Sequence, residues 1–245
     1  MSFLDKLLTV QQQNHSWIGL RLDIRRSQMP LPLAQLDDPL LPFAKSMIDA
    51  THDLVCAYVL DPAYFLVEGA AGMIALERLV RYIPTHIPIV LDTCFGLIAS
   101  SAEWYARAAF EAFSADAVTF SVVPDPATLE AFTRVDRKAV FVPALALLTQ
   151  SPLLNASGLI IRAGDLAHIQ LTAIKAPILI IDWNTAEETR AAKTIGVSGL
   201  NPIIDLGSAA LYTSHHEDFA EATRLVVRQT RNRLNTYRPT ALAAL

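Results

Sequence analysis

Short apolar runs rich in β-branched residues alternate along the chain with longer segments whose apolar positions recur every three or four residues. The runs read as strands buried on both faces, and the longer segments as amphipathic helices. The predicted strands cover residues 18–23, 54–59, 87–92, 117–122, 139–144, 158–162, 178–182 and 202–206. Eight strands with helical segments between them form the pattern of an α/β fold, the (β/α)8 TIM barrel. In that fold, right-handed crossovers place the helices outside a closed parallel sheet. The whole chain, 1–245, is expected to be one such domain.

The helical segments carry recognisable starts. Asp38-Pro39 sets a capping residue before a helix-compatible proline, and Thr185 with Glu188 has capping-box spacing. From Ser101 onward, Ala102, Tyr105, Ala106, Ala109 and Phe110 repeat at helical spacing and predict a face packed on the barrel. The segment 217–238 predicts a solvated outer helix with Arg228, Arg231 and Arg233 towards its C-terminal end. One connection is short: only residues 149–157 lie between Leu148 and Gly158. That is near the minimum for a parallel crossover of about 10–12 residues.

Composition narrows the function classes. An apolar fraction of 52% suits a sheet covered on both faces. A net charge of −4 without a basic stripe gives nucleic acid nothing to bind. No apolar run reaches the roughly 18 residues of a membrane span, and polar Gln11, Gln12 and Gln13 stand where a signal peptide keeps its apolar stretch, so a cytoplasmic protein is expected. If Val59 and Asp92 point into the barrel, side-chain alternation turns Cys94 inward and Cys56 outward to the helices, so no disulfide is expected between them. Cys94 has no nearby histidine in its motif and reads as a small buried hydrophobe. His168 falls on a helical segment as an exposed or capping residue. The His215-His216-Glu217-Asp218 run has neighbours facing apart, so it reads as a solvated helix start and no metal site is expected.

The stretch Ile87 to Arg107, with Asp92-Thr-Cys94-Phe-Gly-Leu97 at the strand end and Ser101-Ala-Glu103 after it, resembles the signature of the orotidine 5′-monophosphate decarboxylase family. Residues 49–58, 115–119 and 209–212 follow with further matches in the family's order. The resemblance covers nearly the whole chain, and it implies a TIM barrel, a cofactor-independent lyase chemistry in pyrimidine nucleotide biosynthesis, and a dimer through the strand-end face. In the family a Lys-Asp-Lys-Asp array holds the reaction, one ammonium stabilising and then protonating the ring carbanion. Carried over residue by residue, Val59 stands at the first Lys, Asp92 at the retained Asp, Cys94 at the second Lys and Leu97 at the last Asp.

The family's phosphate grips are altered as well. The seventh strand ends Asp182-Trp183-Asn184 in place of a glycine-rich loop, and Ser208 stands at the family's arginine. Tight nucleotide binding is therefore not expected.

Acids mark the strand ends instead: Asp23, Asp61, Asp92, Asp182 and Asp205. Each either forms an acidic rim or caps a following helix and pairs with Arg21, Arg25, Arg26 or Arg162. Asp92 is the retained catalytic position, while Asp23 and Ser101 are candidate substrate contacts; capping is the other reading of Ser101.

Three functions stay open. The first is an inactive relative acting through protein interaction or regulation, as a homodimer or as a heterodimer with an intact relative. Its mouth would be apolar, with Val59, Phe95, Leu97, Leu145, Leu147 and Leu148. The second is an active decarboxylase with substitute residues. The third is a binder of a cationic small molecule or metal at the acidic rim.

Overall fold

The computed structural model describes residues 1–92, 99–144, 158–169, 174, 176–198 and 202–238. Eight strands, β1 (Ile18–Arg21), β2 (Ala57–Leu60), β3 (Ile89–Asp92), β4 (Ala117–Thr119), β5 (Ala139–Pro143), β6 (Gly158–Arg162), β7 (Ile178–Ile181) and β8 (Ile203–Asp205), close into one barrel. Every neighbouring pair is parallel, and β8 returns to β1. The chain is a (β/α)8 TIM barrel. Each observed strand lies within its predicted run or overshoots it by one residue, because β-branched and apolar residues continue past the last ladder hydrogen bond.

Alternation along the strands sorts the core into two clusters. Val59, Val90, Ala117, Phe141, Leu179 and Ile203 turn inward, whereas Tyr58, Leu60 and their counterparts face the helical layer. The inner cluster is closed from below by the N-terminal helix α1 (Phe3–Gln13), which inserts Phe3, Leu7 and Val10. A capping box starts α1: the Asp5 N–H donates to Ser2 Oγ at 3.2 Å and the Ser2 N–H to Asp5 Oδ2 at 3.1 Å. Phe3 meets Phe141 edge-to-face with centroids 5.7 Å apart. Phe141 reaches into the space above Gly158, where a Cβ would lie 2.5 Å from its ring, so only glycine fits there.

The outer layer consists of α2 (Leu31–Ala34), α3 (Leu40–Thr51), α4 (Ala63–Leu66), α5 (Gly69–Tyr82), α6 (Ala99–Arg107), α7 (Pro126–Thr133), α8 (Thr185–Ser198) and α9 (Phe219–Asn235). Among the described residues, no helix is long and apolar enough to cross a membrane.

Several local expectations are corrected. Pro39 rather than Asp38 occupies the cap of α3, with no side-chain cap bond. The Thr185 side chain, half of the expected capping box, lies outside the described residues, and Arg233 of α9 takes the Glu188 carboxylate through Nε at 2.7 Å. Ala102 and Ala106 are buried on α6, with Ala109 and Phe110 on the π-turn Ala108–Ala112 after it, but Tyr105 is 40% exposed. Cys56 does not face the outer helices. β2 begins one residue later, and the buried thiol sits in the floor cluster with Gln11 Nε2 3.9 Å from Sγ. The short link at 149–157 lies outside the described residues.

Candidate functional site

The inward alternation that buries Val59 and Val90 also aims the last residue of several strands into the open end of the barrel. Arg21 ends β1, Asp92 ends β3, Thr119 ends β4 and Asp205 ends β8. Arg21 is in register with Val59 of the floor, and Asp92 with Thr119 one inward position further along. Asp23 and Asp61 follow two residues and one residue after their strands. Together they line a cleft of about 770 Å³ at the C-terminal face, where barrel proteins place their sites.

Arg21 is the hub. Its Nη1 donates to Asp92 Oδ2 at 2.7 Å, and its Nε and Nη2 each stand 2.7 Å from Asp205 Oδ2. Asp92 Oδ1 accepts the Thr119 hydroxyl at 2.5 Å, and Asp205 Oδ1 accepts the Gly207 N–H at 2.8 Å. Burial works against the charge on Arg21, but Asp205, Asp92 and Asp23 outweigh it and raise its pKa further. The guanidinium is therefore a permanent charge held between two carboxylates. Burial raises the pKa of Asp205, and that of Asp61 rises for the same first reason.

Asp23 differs from the others. Its side chain is buried with 6% of the residue exposed, yet Oδ1 accepts no hydrogen bond, and Arg21 Nη1 stands 3.7 Å away. Burial, reinforced by Asp61, Asp205 and Asp92 and opposed by Arg21, pushes its pKa up to about 7. Tyr212 fixes the backbone here: its hydroxyl donates to the Asp23 carbonyl at 3.0 Å and accepts the Arg25 N–H at 2.7 Å, while its ring stacks on Phe43. The Arg25 guanidinium extends to the Tyr64 hydroxyl at 3.3 Å and to Ser208 Oγ at 3.4 Å.

The far wall, from β4 to β7, is mainly apolar. Phe120, Ile160, Leu179 and Ile181 line it, and the Trp183 indole N–H is buried there without an acceptor. Arg162 and Asp182 pair at its exposed lip, 3.5 Å apart.

The sequence-derived candidates are now placed. Asp23 and Asp92 line the cleft together. Ser101 lies inside the first turn of α6, which begins at Ala99, so it is not the residue before the helix, nor is it among the residues lining the cleft. Val59 is fully buried in the floor cluster and forms no part of an exposed apolar mouth. Cys94, Leu97, Phe95, Leu145, Leu147 and Leu148 lie outside the described residues. Most of the strand-end acids follow the pairing reading: Asp92 and Asp205 on Arg21, Asp182 on Arg162, and Asp61 accepting the Ala63 N–H at the start of α4. No group of three or more metal-ligating side chains occurs among the described residues.

Sequence reasoning did not single out Arg21 as the centre of the cleft, nor Thr119 and Tyr212 as its supports. The signal for Arg21 was available, because it shares inward parity with Asp23, two residues on.

No family model matches the chain. A protein from Roseiflexus sp. named orotidine 5′-phosphate decarboxylase is 41% identical over 142 residues, 58% of this chain and 52% of the relative, so that match spans about half of the relative's length. One of the same name from Cupriavidus necator is 32% identical over 97% of this chain and 99% of its own. Among solved structures, the OMP decarboxylase of Leishmania donovani superposes with a TM-score of 0.73 at 25% identity, covering 96% of this chain and all of that one. The strand-end cleft thus stands on a scaffold shared nearly end to end with the Cupriavidus and Leishmania proteins, and the chain belongs to the orotidine 5′-phosphate decarboxylase family.

Proposed function

We propose that this chain is a cytoplasmic, catalytically inactive member of its family, serving pyrimidine nucleotide biosynthesis through protein interaction or regulation. One observation carries the reading: among the described residues, the cation that reaches Asp92 is the Arg21 guanidinium, clamped between Asp92 and Asp205. Decarboxylation without a cofactor leaves an electron pair on carbon that needs a nearby acid. A guanidinium gives up no proton near neutral pH, and one paired to two carboxylates gives up none more readily. Val59, at the position of the family's first lysine, supplies neither charge nor proton. Among the described residues the cleft also sets six carboxylates, Asp23, Asp61, Asp92, Asp165, Asp182 and Asp205, against Arg21 and Arg162. A substrate bearing a phosphate and a carboxylate meets like charge in a partly desolvated space, where repulsion is several times stronger than in water.

The interaction surface in this proposal is the strand-end face together with α6. Trp104, Tyr105 and Val122 are exposed there by 68%, 40% and 49%, and they suit a second copy of the chain or an intact relative burying on the order of 2,000 Å².

A second reading, an active decarboxylase with substitute residues, is favoured by Arg25, whose guanidinium reaches Ser208 where the family keeps its phosphate-gripping arginine. Assay of orotidine monophosphate turnover by the purified chain separates the two. The inactive reading expects carbon dioxide release at background. Turnover that survives repurification and disappears in Asp92→Ala contradicts it and supports the second. A monomer mass in light scattering at micromolar concentration, with no capture of an intact relative, removes the interaction role.

A further inference from the structure

The arginines of α9 and of the turn that follows it are of two kinds. Arg224 donates to both carboxylate oxygens of Asp53, at 2.6 and 2.8 Å, and Arg233 to both of Glu188, at 2.7 and 3.2 Å. These are the two-pronged bonds of a guanidinium that has met its counter-charge. Arg228, Arg231 and Arg238 meet no carboxylate among the described residues. Arg231 reaches neutral oxygens, Asn14 O at 3.5 Å and Asn232 Oδ1 at 3.3 Å, and Arg238 reaches Gln11 O at 3.3 and 3.4 Å. Arg228 is exposed. The carboxylate partners raise the pKa of Arg224 and Arg233, whereas burial lowers that of Arg238.

The three unanswered cations share one stripe. Positions 228, 231 and 238 recur at helical spacing beside the core-facing Val227, Thr230 and Leu234. The stripe runs along the connector from α1 to β1, where Asn235 donates to His15 O at 2.8 Å and the Arg238 guanidinium lies over the Trp17 ring, 5.3 Å from its centroid. Two of the guanidiniums are thus already positioned, on bonds long enough to be exchanged for better ones. Trp17 immediately precedes β1, so this surface lies at the end of the barrel opposite the cleft.

We propose that this stripe is a docking surface for an acidic peptide segment of a partner protein, whose carboxylates pair with Arg228, Arg231 and Arg238.

Extent and surroundings choose a peptide. From 228 to 238 the stripe rises roughly 15 Å at helical pitch, too far for one small anion and the span of about five extended residues. The outward positions Gln229, Asn232 and Thr236 are polar, and Leu225 is the one large apolar side chain exposed on α9 among the described residues, so the face has no apolar surface to bury in a bilayer. A chain of net charge −4 gives a long polyanion little beyond these three cations.

The proposal does not depend on how the cleft is read, and its test reads binding alone, so either can fail without the other. Fluorescence anisotropy of the full chain would use a labelled peptide, Glu-Glu-Leu-Glu-Glu-Leu-Glu, and its counterpart with Gln for every Glu. The acidic peptide is expected to bind saturably at 50 mM salt, at least ten-fold tighter than the Gln peptide, and to weaken several-fold at 300 mM salt. Arg228→Glu with Arg231→Gln is expected to weaken it at least ten-fold. Arg81→Glu with Arg134→Gln, the same charge change at two exposed arginines elsewhere, is expected to leave it within two-fold. Should the first double variant not fold, the exposed Arg228→Glu alone still decides, with a loss of at least three-fold expected. No saturable binding, equal affinity for the Gln peptide, full affinity in the folded stripe variant or an equal loss in the control variant would each overturn the proposal. So would stripe-dependent binding to phosphatidylserine vesicles that the acidic peptide fails to displace, since that would make this a membrane surface.

Discussion

The two ends of the barrel interior are separated by one layer of side chains and obey different physics. At the floor, α1 drives Phe3, Leu7 and Val10 against Val59, Val90 and Phe141, and all six are at most 3% exposed. At the mouth, Arg21, Asp92 and Asp205 form an ion-paired cluster under an open cleft. The floor is stabilised by removal of apolar area from water and close packing, which are indifferent to pH and salt. The mouth is a set of charges that hold only as a set, since taking away one member leaves the others desolvated and unanswered. On the proposed reading, this division lets the scaffold keep its fold while its site changes: Val59 joins the floor's packing, and the charges above it are arranged around Arg21.

The sharpest way to break the comparison is to injure each end and vary pH. Phe141→Ala should destabilise the chain by about 4 kcal/mol, the usual range for emptying a buried aromatic site. Chemical denaturation should give the same loss at pH 5 and pH 8. Arg21→Ala should cost about 3 kcal/mol near neutral pH, because buried Asp205 and half-buried Asp92 then lack their counter-charge. That loss should shrink towards pH 4 as Asp205, whose pKa burial raises, takes up a proton. Equal pH dependence in the two variants would erase the distinction between floor and mouth.

Asp23 sharpens the comparison further. Its folded pKa, pushed up to about 7, lies above the ordinary carboxyl value of 3.8. A raised acid contributes its stability in full below the unfolded value and loses it as pH climbs through the folded one. Arg21 faces Asp23 with one sign of charge, and Asp61, Asp92 and Asp205 with the other, so the native chain should lose stability on this account between pH 4 and pH 8. Asp23→Asn cannot titrate. Its stability curve should be flatter, and at pH 8 it should exceed the native chain by on the order of 2 kcal/mol. Parallel curves for the two proteins would mean that Asp23 is ionised throughout.

The floor and the scaffold were largely legible in the sequence, and the wiring of the mouth was not. Short apolar runs rich in β-branched residues located all eight strands, because burial on both faces writes itself locally. Parity then turned Val59 and Asp92 inward correctly. It failed at Cys56, where alternation was extended past the end of the strand into a turn that packs on α1. The partners of Arg21 lie 71 and 184 residues away, and parity states a direction without choosing among the acids that share it. The Arg233 partner of Glu188 was hidden for a similar reason, since it lies 45 residues away.

The central claim is that a mouth built from acids around a clamped arginine no longer accepts the anionic nucleotide of its relatives. Thermal shift with uridine monophosphate tests it most directly, because a ligand that binds the native state must raise the melting temperature by linkage. The account predicts no shift up to millimolar nucleotide, whereas a clear, saturable rise at submillimolar concentration that Arg25→Ala removes would contradict it.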